Sequence, residues 1–168
     1  WPIVLLRPTA ATAAAINLSE PGCGYLMGLR PINFLGAIEH YSGRIEISLK
    51  SVLRAGFFLA DDFHDLHSKG LCYKDISLGN IFLDPATGSI LICDNDNVDI
   101  DGHELSSVLG TPGFISPEVL MGQARPGTNS DLYSLAVLLF RLLTRHDPLK
   151  GQMELAVDCL DEPARRRL

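Results

Sequence analysis

The sequence has no apolar run long enough to span a membrane. Its richest stretch, Leu135 to Leu143, is nine residues long and contains Arg141, whereas a spanning helix needs about 18 or more. No secretory leader is visible at the start. Paired cysteines are missing too: Cys23, Cys72, Cys93 and Cys159 all lie more than four residues apart. That excludes a C-x-x-C metal or redox pair. The expectation is four reduced, partly buried thiols in a cytoplasmic protein. Basic excess is absent as well. Fourteen Lys and Arg face twenty Asp and Glu, for a formal net charge of -6, which argues against a nucleic-acid partner. No internal repeat is found, and nothing in the sequence fixes an oligomeric state.

What is present suits one globular domain. The chain has 168 residues, 46% of them hydrophobic, and a chain of that size buries roughly 70% of its unfolded surface. Trp1 to Leu6 and Tyr25 to Leu29 read as short strands, with a Pro- and Gly-bearing loop between them. A short helix is expected over residues 32–40. Residues 49–67 carry the clearest amphipathic pattern, with Val52, Gly56, Leu59, Phe63 and Leu66 at three-four spacing and Leu53, Ala60 and His67 beside them. Ser48 stands at the N-cap position and Gly70 just past the end.

Residues 81–83 and 90–93 are β-prone, and Asp84 to Gly88 supplies turn residues, so a hairpin is expected. Residues 94–116 show no strong period and read as a long loop, a feature that in a compact domain is usually functional. Residues 131–145 predict a helix apolar on nearly all sides, which belongs in the middle of a domain. Arg141, Arg145 and His146 lie towards its end, where the helix dipole favours cations. A last helix is expected over residues 153–160.

The chemistry concentrates between the amphipathic helix and the hairpin. Tyr73-Lys-Asp-Ile-Ser-Leu-Gly-Asn80 fills that gap, and the hairpin then delivers Asp94. Such an arrangement gathers Asp75, Asn80 and Asp94 around one point. Phosphoryl transfer needs a carboxylate to orient or deprotonate the attacking hydroxyl, plus a carboxylate and an amide oxygen to hold Mg²⁺ against phosphates. Hard oxygen ligands are what Mg²⁺ prefers.

On these residues the sequence resembles the protein kinase family. Tyr73-Lys74-Asp75 with Asn80 is similar to the H-R-D catalytic loop with its later N. Cys93-Asp94-Asn95-Asp96 stands where the family has D-F-G, and Gly110 to Glu118 resembles the segment ending in A-P-E, with Ser116 in place of Ala. Asp131 resembles the acid that ties the buried helix to the catalytic-loop backbone. The resemblance implies an α+β, protein-kinase-like fold. Its large lobe is mainly helical and carries the hairpin. Residues 1–30 would be two residual small-lobe strands and the hinge, and residues 31–168 the large lobe. It also implies ATP and Mg²⁺ as cofactors and a protein substrate phosphorylated on Ser or Thr. Asp75 would act on the hydroxyl, and Asn80 and Asp94 would hold Mg²⁺. Met27, Gly28 and Leu29 would meet the adenine, with Phe82 and Cys93 on the other side. Ser77 stands where Ser/Thr kinases place a phosphate-facing Lys. Thr111 would bond near Asp75, and Glu118 would anchor the substrate-side segment.

The departures carry expectations of their own. No glycine-rich phosphate loop and no strand lysine with its glutamate partner is present, and the last large-lobe helices are missing. The chain alone is therefore expected to bind ATP weakly and catalyse poorly. Tyr73 replaces His. Lys74 replaces Arg and keeps the charge that could hold a phosphorylated loop, without Arg's bidentate fork. Asn95 and Asp96 replace the Phe and Gly of D-F-G. These changes admit a second reading, a pseudokinase-like scaffold that binds a protein partner. The acidic run from Asp94 to Gly102 partly imitates a calcium loop. With Gly102 at position six, however, Val108 stands where the closing Glu belongs. Asp99 and Asp101 are expected to be a solvated acidic loop. His64 and His67 are expected to serve a helix face, and Ser106 and Ser107 are candidate phosphosites.

Overall fold

The computed structural model describes residues 4–7, 9, 11, 24–103 and 108–151. The chain forms two compact units, Trp1–Ile32 and Asn33–Leu168. In the first, strand β1 (Val4–Leu6) pairs antiparallel with β2 (Gly24–Leu26), Leu5 opposite Tyr25.

The second unit holds the core. It opens with β3 (Leu35–Gly36) and the short helix α1 (Ala37–Tyr41). The expected helix over 32–40 is thus shortened to its back half, with a turn and the two-residue strand β3 in front. The cause is non-local: Leu35 pairs with Leu83 and Gly36 with Phe82 in the hairpin. Helix α2 (Leu49–Ser68) matches the amphipathic pattern closely. Ser48 caps it, accepting from the Ser51 amide at 3.1 Å. Gly70 follows its end in the left-handed region, φ +72°, and its N–H donates to the His67 carbonyl. The buried face is Val52, Ala55, Leu59 and Phe63, while Leu53 and Ala60 are exposed.

After α2 come β4 (Leu71–Cys72), the catalytic-loop segment and the hairpin of β5 (Ile81–Leu83) and β6 (Ile90–Ile92). The turn is built on Asp84. Its carboxylate accepts from the Ala86 amide and the Thr87 hydroxyl, and Gly88 closes it at φ +74°. The expected unstructured loop over 94–116 holds a 3₁₀ turn at Asn95–Asn97 and a strand, β7 (Asp99–Ile100). β7 pairs with β4, Leu71 opposite Ile100 and Cys72 opposite Asp99. Helix α3 (Pro117–Leu120) and the long helix α4 (Thr128–Thr144) complete the described part. The helix expected over 153–160, Ser106, Ser107, Cys23 and Cys159 lie outside the described residues.

α4 packs against α2, and the core between them takes in Leu59, Phe63, Leu135, Leu138 and Leu142. It continues under the catalytic loop through Tyr73, Ile76, Leu78 and Ile81. α4 is not apolar-buried all round: Leu132, Phe140 and Leu143 are exposed. Among the described residues no helix is long and apolar enough to cross a membrane.

Candidate active site

The site begins with a buried acid. Asp131, in the first turn of α4, is 2% exposed. Its carboxylate accepts from the Tyr73 amide at 2.6 Å, the Lys74 amide at 2.9 Å and His67 Nε2 at 3.1 Å. Burial pushes its carboxyl upward in pKa, and the bonds from Tyr73, Lys74 and His67 oppose that. One side chain thus fixes two consecutive backbone donors of the loop to the central helix. Buried N–H groups left without such partners cost about 1–3 kcal/mol each.

Lys74 takes a left-handed backbone, φ 68°, a conformation that costs a non-glycine residue roughly 1–2 kcal/mol. The turn it makes points the next residue, Asp75, out of the clamp. Asp75 is held at both oxygens: Oδ1 accepts from Thr111 Oγ1 at 2.6 Å, and Oδ2 from Asn80 Nδ2 at 3.1 Å. Asn80 Nδ2 also donates to the Asp75 carbonyl at 2.9 Å, leaving Oδ1 as the acceptor that this amide can offer a cation. Thr111 can reach Asp75 because Gly110 precedes it. At φ +105°, a Cβ on Gly110 would sit 3.0 Å from the Lys74 carbonyl oxygen.

The hairpin delivers the second acid. The Cys93 amide donates to the Asn80 carbonyl at 2.9 Å, which sets β6 beside the loop one residue before Asp94. Tyr73, in the place of the family's His, is 1% exposed and packs edge-on to Phe63 at 5.7 Å. Its hydroxyl donates to the Cys93 carbonyl, and burial pushes its pKa upward, so it keeps the proton it donates. Asp94 itself is exposed and left-handed, φ 60°, a region that Asp tolerates better than most residues. A hydrogen bond to Asp96 pushes the Asp94 carboxyl upward in pKa, with burial and the charges of Asp96 and Asp75 adding to it. A divalent cation would relieve that crowding, so the donor set fits Mg²⁺. Among the described residues no group of three or more His, Cys, Asp or Glu could hold a metal alone.

The other sequence-derived residues are placed as follows. Ser77 is 4% exposed, which gives its hydroxyl little access to a phosphate. Phe82 lies on β5 and Cys93 follows β6, both half-buried. Met27, Gly28 and Leu29 belong to the first unit and are exposed there. Glu118 lies on α3, its carbonyl accepting from the Gln123 and Ala124 amides.

Several site residues escaped the sequence reading. Asp99 and Asp101 remain solvent-accessible, but they are not merely a solvated loop, because both make structural bonds. Asp99 Oδ2 pairs with Lys74 Nζ at 2.8 Å, and that bond, ahead of the Ile100 amide and His103, holds its carboxyl down at about 2. Asp101 accepts from the Thr128 amide at 3.0 Å and the Thr128 hydroxyl at 2.9 Å, capping α4 from the turn after β7. Arg141 is buried, not merely a cation near a helix end. It donates to the Gly113 carbonyl at 3.0 Å, pairs with Asp147 at 2.9 Å and lies 4.4 Å over the Phe114 ring. Its one signal was a charge inside an otherwise apolar run.

Ser116, in the place of the family's Ala, is 1% exposed and its hydroxyl has no hydrogen-bond partner. Ser116→Ala should leave stability unchanged or raise it by up to about 1 kcal/mol. Urea denaturation checks this; a clear loss would mean the hydroxyl is satisfied in solution.

Comparison with known families accords with this loop architecture. Residues 51–164 match the family described as protein kinase domain, and the chain belongs to it. Among curated relatives, the chain is similar to mouse "Protein kinase C delta type", 35% identical over 67% of the chain and 16% of that protein. It is similar to human "Serine/threonine-protein kinase 40", 37% identical over 46% of the chain and 19% of that protein. It is also similar to rice "CBL-interacting protein kinase 3", 35% identical over 51% of the chain and 20% of that protein. The chain thus spans a fifth or less of the length of these relatives.

Proposed function

We propose that this lobe serves transfer of the ATP γ-phosphoryl group to a Ser or Thr hydroxyl of a protein. The observation that carries the reading is Asp75, its two carboxylate oxygens oriented by Thr111 and Asn80. Each oxygen keeps a lone pair for a substrate. In the transfer the substrate hydroxyl oxygen bonds to the γ-phosphorus while the bond to the β,γ-bridging oxygen breaks. Asp75 orients the hydroxyl and takes its proton. Asn80 and Asp94 would hold the cation from the protein side. Mg²⁺, when bound, would neutralise charge developing on the phosphates. Asp131 positions the loop, and Glu118 supports the substrate-side segment. The Ser/Thr preference is supported by the Gly110-Thr111-Pro112 segment and by the name of one of the relatives above. The thiols of Cys72 and Cys93, neither in a disulfide, support a reducing, cytoplasmic setting. Burial pushes the Cys72 thiol up to about 11, which keeps it inert.

Ser77 is not carried into the catalytic set, because it is buried. The scaffold reading keeps one supporting observation: Asn95 and Asp96 stand where the family's Phe and Gly would be. Manganese separates the two readings. In the presence of ATP, Mn²⁺ should broaden the amide resonances of Asp94 and Asn80 first, and Asp94→Ala should abolish that. Broadening confined to other acidic residues would sink the assignment.

A further inference from the structure

The Lys74 side chain is 1% exposed. A buried ammonium is strongly destabilising unless it is paired. Its partner is Asp99, at 2.8 Å, on the strand that pairs with β4 just ahead of the catalytic loop. The Asp99 carboxylate is committed on several sides: to Lys74 Nζ, to the Ile100 amide at 2.8 Å and to His103 Nδ1. In kinases a phosphoryl group on a loop residue commonly orders that loop by pairing with a cation. Here the cation is already matched. An incoming phosphate would meet the charge of Asp99 at the place it needs, with one exposed imidazole, His103, as the other side chain on that carboxylate.

We propose that Asp99 is the resident anion of this lobe. It is a positioning residue that holds Lys74, and through it the Tyr73–Asp75 turn, without phosphorylation of the loop. Three features combine to support this. The pair is buried on the lysine side. Asp99 is fixed in register by β7. The left-handed turn at Lys74 joins the Asp131 clamp to Asp75, so the cation's anchorage bears directly on where Asp75 points. The acidic run, which read as an imperfect calcium loop, gains a purpose: Asp99 serves the catalytic loop and Asp101 the start of α4.

The consequence for activity rests on the proposed role of Asp75, but the test does not. Amide exchange at Tyr73 and Lys74 reports the loop through bonds to Asp131, not to Asp99. Asp99→Asn should speed that exchange about tenfold or more, because a buried lysine loses its partner. Asp99→Glu should restore most of the protection. Millimolar inorganic phosphate should restore protection in Asp99→Asn by supplying the missing anion, and should leave the unsubstituted protein unchanged. Phosphatase treatment of the unsubstituted protein should leave protection unchanged; this arm, with Asp99→Glu, decides the matter if Asp99→Asn does not fold. Unchanged exchange in Asp99→Asn would overturn the proposal. So would protection of the unsubstituted protein that falls with phosphatase or rises with phosphate. Absent phosphoryl transfer alongside the expected exchange pattern would instead count against the role of Asp75 alone.

Discussion

Asp75→Asn, made in the full-length protein, should lower kcat on the order of 10²–10⁴-fold, the usual reach of general acid–base assistance. KM for ATP should move little, because the role proposed for Asp75 is at the hydroxyl and not at the cation. Asparagine can still accept the Thr111 hydroxyl bond at one atom, so the loop should keep its shape. With its amide nitrogen instead donating to the Thr111 hydroxyl oxygen, its carbonyl oxygen can still accept from Asn80 Nδ2, but the neutral amide cannot take the substrate proton. Steady-state kinetics on a Ser or Thr peptide read the outcome. A rise in KM with kcat intact would assign Asp75 to binding and not to the proton.

Asp131→Ala should be the most damaging single change to the fold. The carboxylate is 2% exposed and serves two backbone amides and His67. Its removal strands two buried N–H groups, and breaking a buried charged network of this kind costs about 3–5 kcal/mol. A domain's whole stability is about 5–15 kcal/mol, so the variant should be close to unfolded at physiological temperature. Thermal and urea denaturation measure this. His67→Ala should cost less, because it removes one bond from a half-buried side chain and leaves the two amide bonds in place. A loss under about 1 kcal/mol for Asp131→Ala would show that the amides find other partners.

Much of this was legible in the sequence where the signal was local. The α2 boundaries followed from Ser48, Gly70 and a three-four apolar stripe, and the hairpin from Asp84 to Gly88 with β-branched flanks. In the loop, spacing placed Asp75 and Asn80 on one short segment, where their side chains do meet at 3.1 Å, and the hairpin sets Cys93, the residue before Asp94, against the Asn80 carbonyl. What escaped depended on distant partners. β3 is two residues long and exists because Leu83 and Phe82 pair with it. α4 starts at Thr128, earlier than its apolar pattern, because the Asp101 carboxylate caps it. Asp99 looked solvated because alternating acids carry no mark of which one meets a buried lysine. Leu132, Phe140 and Leu143 read as buried because composition shows how apolar a helix is, not which neighbours cover it.

The central claim is that Asp75, Asn80 and Asp94 form one phosphoryl-transfer site. The most direct test follows labelled phosphate from γ-labelled ATP in the full-length protein, with and without divalent cation. The account predicts cation-dependent label on Ser or Thr of a peptide or protein acceptor, lost in Asp75→Asn and in Asp94→Ala. Label that appears equally in those variants, or no transfer by the unsubstituted protein under any cation, would contradict it.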